Sequence, residues 1–298
     1  MTGSVLISLD CEGKWGMADD PEMLRSSAIN DTSLKDAYTF LFDLFEQHKI
    51  RATFAVVGLF VAGEAVAREH IQNNLNDPAH SAWLKIPNLA ILEKRTEGWF
   101  FTDLPKMVRH SGLHELASHG FSHLPFTSQY FSATTATYEL ESMRTLGLHN
   151  QWNLRSMVFP RNEVAFVDML NGFGIHQYRL RSTTDSAYRR LTALLSEYKI
   201  RQLADLLPNE ESEIPAGHFL NWRSGPRRII PPVVTISRWR SILSDAAENN
   251  RCAHLWFHPH NVITGHNQRQ LVSQAIELAG QYIRRGELRA STFSEVRS

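Results

Sequence analysis

The sequence predicts an α/β protein on a parallel sheet, wound towards a (β/α) barrel. Three observations point there. Short β-branched or apolar runs alternate with longer stretches of helical periodicity along nearly all of the 298 residues. Repeated strand-then-helix units imply parallel pairing through crossovers. The number of units and the chain length favour a barrel over an open sheet. The first unit is VLISL (5–9), a helix over 34–48 and a second strand, ATFAVV (52–57). Helices are then expected over 64–74, 134–146, 164–170, 187–198, 238–249 and 268–284, with strands near 113–117, 157–159, 176–180 and 254–257. Two stretches, 75–112 and 208–233, break the rhythm. Their Pro, Asn, Gly and Trp content reads as long ordered loops inserted in one domain spanning 1–298. No repeat of fixed period is visible.

Composition narrows the function. With 43% hydrophobic residues and 31 basic side chains balancing 31 acidic ones, the chain suits a sizeable core and lacks the single-signed field of a nucleic-acid or membrane-surface binder. The expected partner is small or neutral. No run approaches the ~20 apolar residues of a membrane span. The opening MTGSVLISLD has neither a basic leader nor a long apolar stretch and reads as a strand. Two cysteines, Cys11 and Cys252, are too few for a disulfide framework. A reducing cytoplasm is the expected location.

In parallel α/β proteins, sites form at the C-terminal ends of strands. After the first strand comes SLDCEGKWG, with Asp10 and Glu12; after the third, ASHGFSH, with His119 and His123. Later come VFPRNE, with Arg161, and LWFHPHN, with His258 and His260. Singly, each has a bland reading: a turn aspartate, a pair of satisfied loop histidines, a surface arginine. Their common edge is what carries weight. Two imidazoles and one carboxylate make an open site for a zinc-type cation. Residues two apart on a strand face the same way, so Asp10 and Glu12 can share the pocket, one binding the cation and the other taking a proton. A cation acidifies water from ~16 towards ~7, a neighbouring carboxylate deprotonates it as it attacks a carbonyl, and His258 can protonate the leaving nitrogen.

These segments, in this order, resemble the polysaccharide deacetylases, the NodB-homology or carbohydrate esterase family 4 group, which also holds allantoinase-type and peptidoglycan deacetylases. SLDCE matches the acidic motif, SHGFSH the His-x-x-x-His motif, FPRNE the arginine-proline motif and LWFHPHN the late histidine motif, so the likeness spans residues 8–261. It implies a distorted barrel of about seven strands. Its site would hold Glu12, His119 and His123 as metal ligands, Asp10 as general base, Arg161 orienting Asp10, and His258 as general acid. Zinc is the default cofactor, and iron, cobalt or nickel suit the same donors.

The family's usual acids are adjacent, whereas here the second is a glutamate one position later; Asp10 and Glu12 can exchange roles. The proline of FPRNE precedes its arginine, and His260 can stand in for His258. Trp15, Trp99, Trp222 and Arg223 read first as packing and loop anchors and second as a sugar subsite. Cys11 reads as a small apolar wall residue rather than a nucleophile.

The function expected is removal of an N-acetyl or related acyl group from an amino sugar in a small saccharide, nucleotide-sugar or lipid-linked precursor, within the cytoplasm. The rivals are an allantoinase-like cyclic amide hydrolase and an inactive saccharide-binding homologue.

Overall fold

The structure, a computed structural model, describes residues 2–181 and 198–297. Its strands are β1 (Gly3–Cys11), β2 (Thr53–Val56), β3 (Glu115–Ser118), β4 (Ser156–Met157), β5 (Gln177–Arg179), β6 (Glu213–Ile214), β7 (His218–Phe219), β8 (Cys252–Phe257) and β9 (Leu288–Ser291). They form one sheet in the order β6-β5-β4-β3-β2-β1-β8-β7, with β9 also pairing with β1. Every strand pair is parallel.

β1 is the axis of the sheet. It pairs with β8 over Ser4–Leu9 on one side, and with β9 over Gly3–Leu6 and then β2 over Ser8–Cys11 on the other. All nine of its residues are buried. That fits a strand covered on both faces, which reads as a near-continuous apolar run instead of an alternating one. The strands at the two ends of the sheet, β6 and β7, are separated only by residues 215–217. Four Cα steps span at most ~14 Å, so the sheet must curl until its edges nearly meet.

Helix Asp31–His48 turns Leu34, Ala37, Tyr38, Leu41 and Phe45 into the core. Asn30 and Ser33 form a reciprocal cap at its start, and Lys49 closes it in the left-handed conformation. Helices Glu64–Asn74, Ala133–Asn150 and Gln268–Arg284 lie where periodicity places them.

Several expectations are corrected. The stretch 75–112 is not a long loop: it folds into helices Ser81–Leu92 and Leu104–Ser111. The first accommodates Pro87 because Trp83, Leu84, Ile86, Ala90 and Ile91 bury an apolar face around it; tertiary packing outweighs the proline penalty. By contrast, the stretch 208–233 is largely irregular, as its composition predicts, holding β6, β7, the short 3-10 turn Gly225–Ile229 and the first two residues of helix Pro232–Asn249. The helix expected at 164–170 is a 3-10 segment, Val167–Phe173. The strand Leu288–Ser291 was not expected, since LRAS carries a charge and too few apolar residues to signal one. The helix expected at 187–198 lies, but for its last residue, outside the described residues. Among the described residues no helix is long and apolar enough to cross a membrane.

Candidate active site

β1 carries Asp10, and Glu12 follows where the chain turns at Gly13. Glu12 Oε2 lies 2.8 Å from His123 Nε2 and 3.3 Å from His119 Nε2, and the two nitrogens are 3.2 Å apart. All three side chains are buried. His119 Nδ1 lies 2.8 Å from the Val158 carbonyl, which can only accept, so the ring donates from Nδ1 and turns Nε2, the atom a cation would take in place of its proton, towards Glu12. His123 Nδ1 is buried without a partner among the described residues. Two imidazoles and a carboxylate converging on one point, with one tautomer already fixed, fit a zinc-type cation. Burial works against charge on Glu12, but His258 and His123 beside it, with hydrogen bonds from His119 and His123, hold its carboxyl well below the usual range. Burial pushes His123 down; it acts the same way on His119, but there the hydrogen bond to Glu12, the charges of Asp10 and Glu12 and the bond to the Val158 carbonyl together outweigh it and raise the ring.

The space for this cluster is made by small residues. A Cβ on Gly16 would fall 2.0 Å from Glu12 Oε1, so any larger residue displaces the carboxylate. The histidine loop is gripped from several sides. Gly58 and Leu59, opening a short helix after β2, donate their N–H groups to the carbonyls of Gly120 and Phe121 at 3.0 and 2.8 Å. From helix Ala133–Asn150, Glu139 accepts the N–H groups of Phe121 (3.1 Å) and Ser122 (2.9 Å) and the Ser122 hydroxyl (2.7 Å). Trp83 donates its indole N–H to the Ser122 carbonyl at 2.9 Å, and its ring stacks on His123 with centroids 5.8 Å apart. So held, His123 adopts a left-handed φ of 61°, unfavourable for a side-chain-bearing residue and sustained by the surroundings.

Asp10 is clamped from below. Arg179, at the end of β5, donates from Nη1 and Nη2 to its two carboxylate oxygens at 2.9 and 2.7 Å. Arg179 also reaches Ser8 Oγ (3.2 Å) and Asn162 Oδ1 (2.6 Å) and lies over the Trp256 ring at 4.4 Å. His254 Nδ1 donates to the Pro215 carbonyl at 2.8 Å, which leaves its Nε2 to accept the Ser8 hydroxyl at 2.9 Å. Burial would raise the Asp10 carboxyl, but Arg179, aided by His119 and His258, holds it below the ordinary aspartate value. It is therefore ionised at neutral pH. Burial pushes His254 down to about 3, so that ring is neutral.

Arg161 does not take the place expected of it. Its guanidinium bonds Asp19 at 2.5 Å and lies over Trp83 at 4.9 Å, while the partner of Asp10 is Arg179. Arg161 and Asn162 both have left-handed φ values, 55° and 57°, and this turn sends Asn162 inward and Arg161 outward.

His258 Nε2 lies 3.4 Å from Glu12 Oε1 and 4.0 Å from Asp10 Oδ2, and its side chain, 23% exposed, is the most open of the group. His260 stacks beside it at 5.0 Å. Trp15 bonds the Trp99 carbonyl and the two rings meet edge to face at 5.4 Å, both buried, so they pack. Trp222 bonds Thr264 Oγ1, and Arg223 bonds the His266 carbonyl; both anchor loops. Cys11 is buried, its thiol pushed well above the usual range chiefly by burial. Sequence reasoning missed Arg179, Ser8, His254, Trp83 and Glu139. No motif marks them, since each works through a partner distant in the chain.

No family model matches the chain, and no curated protein matches it significantly. Solved structures do. A putative polysaccharide deacetylase from Mycobacterium smegmatis superposes with a TM-score of 0.57 at 15% identity, covering 98% of this chain and 88% of that one. A family 4 carbohydrate esterase from Streptomyces lividans gives 0.46 at 11% identity, covering 97% and 92%. The Xyl-CE4 domain of a multidomain xylanase from the hindgut metagenome of Trinervitermes trinervoides gives 0.44 at 12%, covering 99% and 90%. On the first of these, together with the curled parallel sheet, the chain has the distorted (β/α)-barrel fold of the polysaccharide deacetylases, of NodB type.

Proposed function

We propose that the chain is a metal-dependent hydrolase that removes an N-acetyl or related acyl group from an amino sugar. The observation that supports this best is the meeting of Glu12 Oε2 with the Nε2 atoms of His119 and His123, beside an Asp10 that Arg179 keeps charged. Glu12, His119 and His123 would hold the cation, which supplies Lewis acidity to water and to the acyl carbonyl when bound.

The remaining work falls to the chain. Asp10, ionised and fixed in plane by two charge-assisted hydrogen bonds, takes the proton of the attacking water. Arg179 positions it, and Ser8 and Asn162 position Arg179 in turn. A C–O bond forms at the acyl carbon and the C–N bond breaks. His258, across a 4.0 Å gap from Asp10 and on the open side of the site, gives a proton to the departing nitrogen. The products are a carboxylate and a free amine. The name of the Mycobacterium smegmatis protein agrees with a saccharide substrate.

Elemental analysis of the purified chain, followed by acetate-release assays on N-acetylated oligosaccharides, nucleotide sugars and lipid-linked sugars, tests the reading. Ring opening of allantoin-like amides serves as the competing activity. His119→Ala is expected to lose the ion held by Glu12, His119 and His123, and hydrolysis with it; a variant unchanged in both would send the proposal back to a saccharide-binding protein without turnover.

A further inference from the structure

Glu12 is two-sided. Its Oε2 faces His119 and His123, while Oε1 lies 3.4 Å from His258 Nε2. A ring nitrogen of His260 completes a second group with Glu12 and His258, all of whose donor atoms fall within 4.8 Å of one another. We propose that Glu12 is a bridging carboxylate between two cation positions, the second held by Glu12, His258 and His260. This rests on the reading of the first position given above.

Three features support a second ion. The His-Pro-His segment brings both rings to one side of the pocket as a near-parallel pair, 5.0 Å apart and inclined by 26°. His260 is buried, yet among the described residues its Nδ1 has no hydrogen-bond partner; such a group is costly and calls for an explanation. Asp10 Oδ2 stands 4.0 Å from His258 Nε2, close enough to add a further carboxylate oxygen to the neighbourhood. Paired ions sharing a site lie ~3.5–4 Å apart, a separation that the two oxygens of one carboxylate can bridge. The second position is the weaker, because it has no carboxylate of its own, sharing Glu12 with the first, and Arg179 already balances Asp10. Occupancy there uses the His258 Nε2 that proton delivery needs. The second ion and the acid role of His258 therefore exclude each other.

The test uses the full chain, stripped of metal with a chelator and titrated with Mn²⁺. Bound ions are counted by elemental analysis after gel filtration, and the loaded protein is examined by electron paramagnetic resonance. The expected result is two ions per chain at saturation, with an exchange-coupled spectrum, and one uncoupled ion in His260→Ala. Wild-type protein that saturates at one ion, or binds two that are uncoupled, overturns the proposal, and neither observation requires the variant to fold. One ion that is lost in His119→Ala and kept in His260→Ala leaves the first position standing while the second falls. Protein that binds no ion at all removes both.

Discussion

Asp10 and Arg179 form a buried ion pair with side chains 3% and 1% exposed, so each depends on the other. Arg179→Ala would leave a buried carboxylate uncompensated, at a cost of ~3–5 kcal/mol. The Asp10 carboxyl would then rise, and the acid limb of the kcat/KM profile should move to higher pH than in the wild type. Asp10→Asn is expected to keep its metal and lose kcat by ~10²–10⁴-fold, the usual contribution of a general base. Loss of metal in that variant would show that the two acids had been interchanged. Arg161→Ala, by contrast, removes a half-exposed pair with Asp19, which is worth ~0–1 kcal/mol; its kcat should stay close to wild type. Gly16→Ala forces Glu12 aside, and calorimetry should show metal affinity down by ~10–100-fold, as when a ligand's supporting shell is disturbed. The acids and histidines were legible in the sequence because strand ends mark them. The orienting arginine was not: QYRL, one strand further on, carries no local sign that its guanidinium crosses to β1.

Helix Ala133–Asn150 does more than cover the sheet. Its Glu139 joins His80 Nε2 at 3.1 Å and holds the backbone of the histidine loop, while Asp77 bonds the other nitrogen of His80. For Glu139, burial opposes charge, but the hydrogen bond from His80 and the neighbouring His70 and His80 hold its carboxyl below the ordinary glutamate value. For His80, burial is outweighed by hydrogen bonds to Glu139 and Asp77, which raise it. A lowered acid stabilises the fold above its unfolded pKa of ~4.3 and fails as pH falls through its folded value. A raised histidine stabilises fully below ~6.5 and fails as pH rises through its folded value. The pair therefore contributes most between ~pH 4.5 and 6.5. Thermal melts across pH should show that contribution fading on both sides of this window, and Glu139→Gln should flatten the curve and lower stability by ~3 kcal/mol. Periodicity located this helix. It gave no hint of the strut, because a lone glutamate on a helix is indistinguishable from a solvated one until its neighbours are known. The same blindness made a loop of 75–112, whose Pro, Asn, Gly and Trp content is outweighed by the burial of residues such as Trp83 and Ile86 in helix Ser81–Leu92.

The barrel could be inferred from the count of alternating units, and the site from where strands end. Its closure could not. β6 and β7 are two residues each, too short for a pattern, and β9 is recognisable only beside β1. An ion that binds only the folded chain stabilises it by mass action, ~2.7 kcal/mol at a hundredfold excess over Kd. Adding excess chelator should therefore lower the melting temperature of the wild type by more than that of His119→Ala.

The join between β6 and β7 is also wired to the chemistry. The Pro215 carbonyl steadies His254, which through Ser8 steadies Arg179, and a methyl group on Gly217 would sit 2.6 Å from His254 Nδ1. Any loosening of the cylinder along that stave is thus felt by Asp10, the proposed base, so that the wall and the proposed reaction share a single tuning peg.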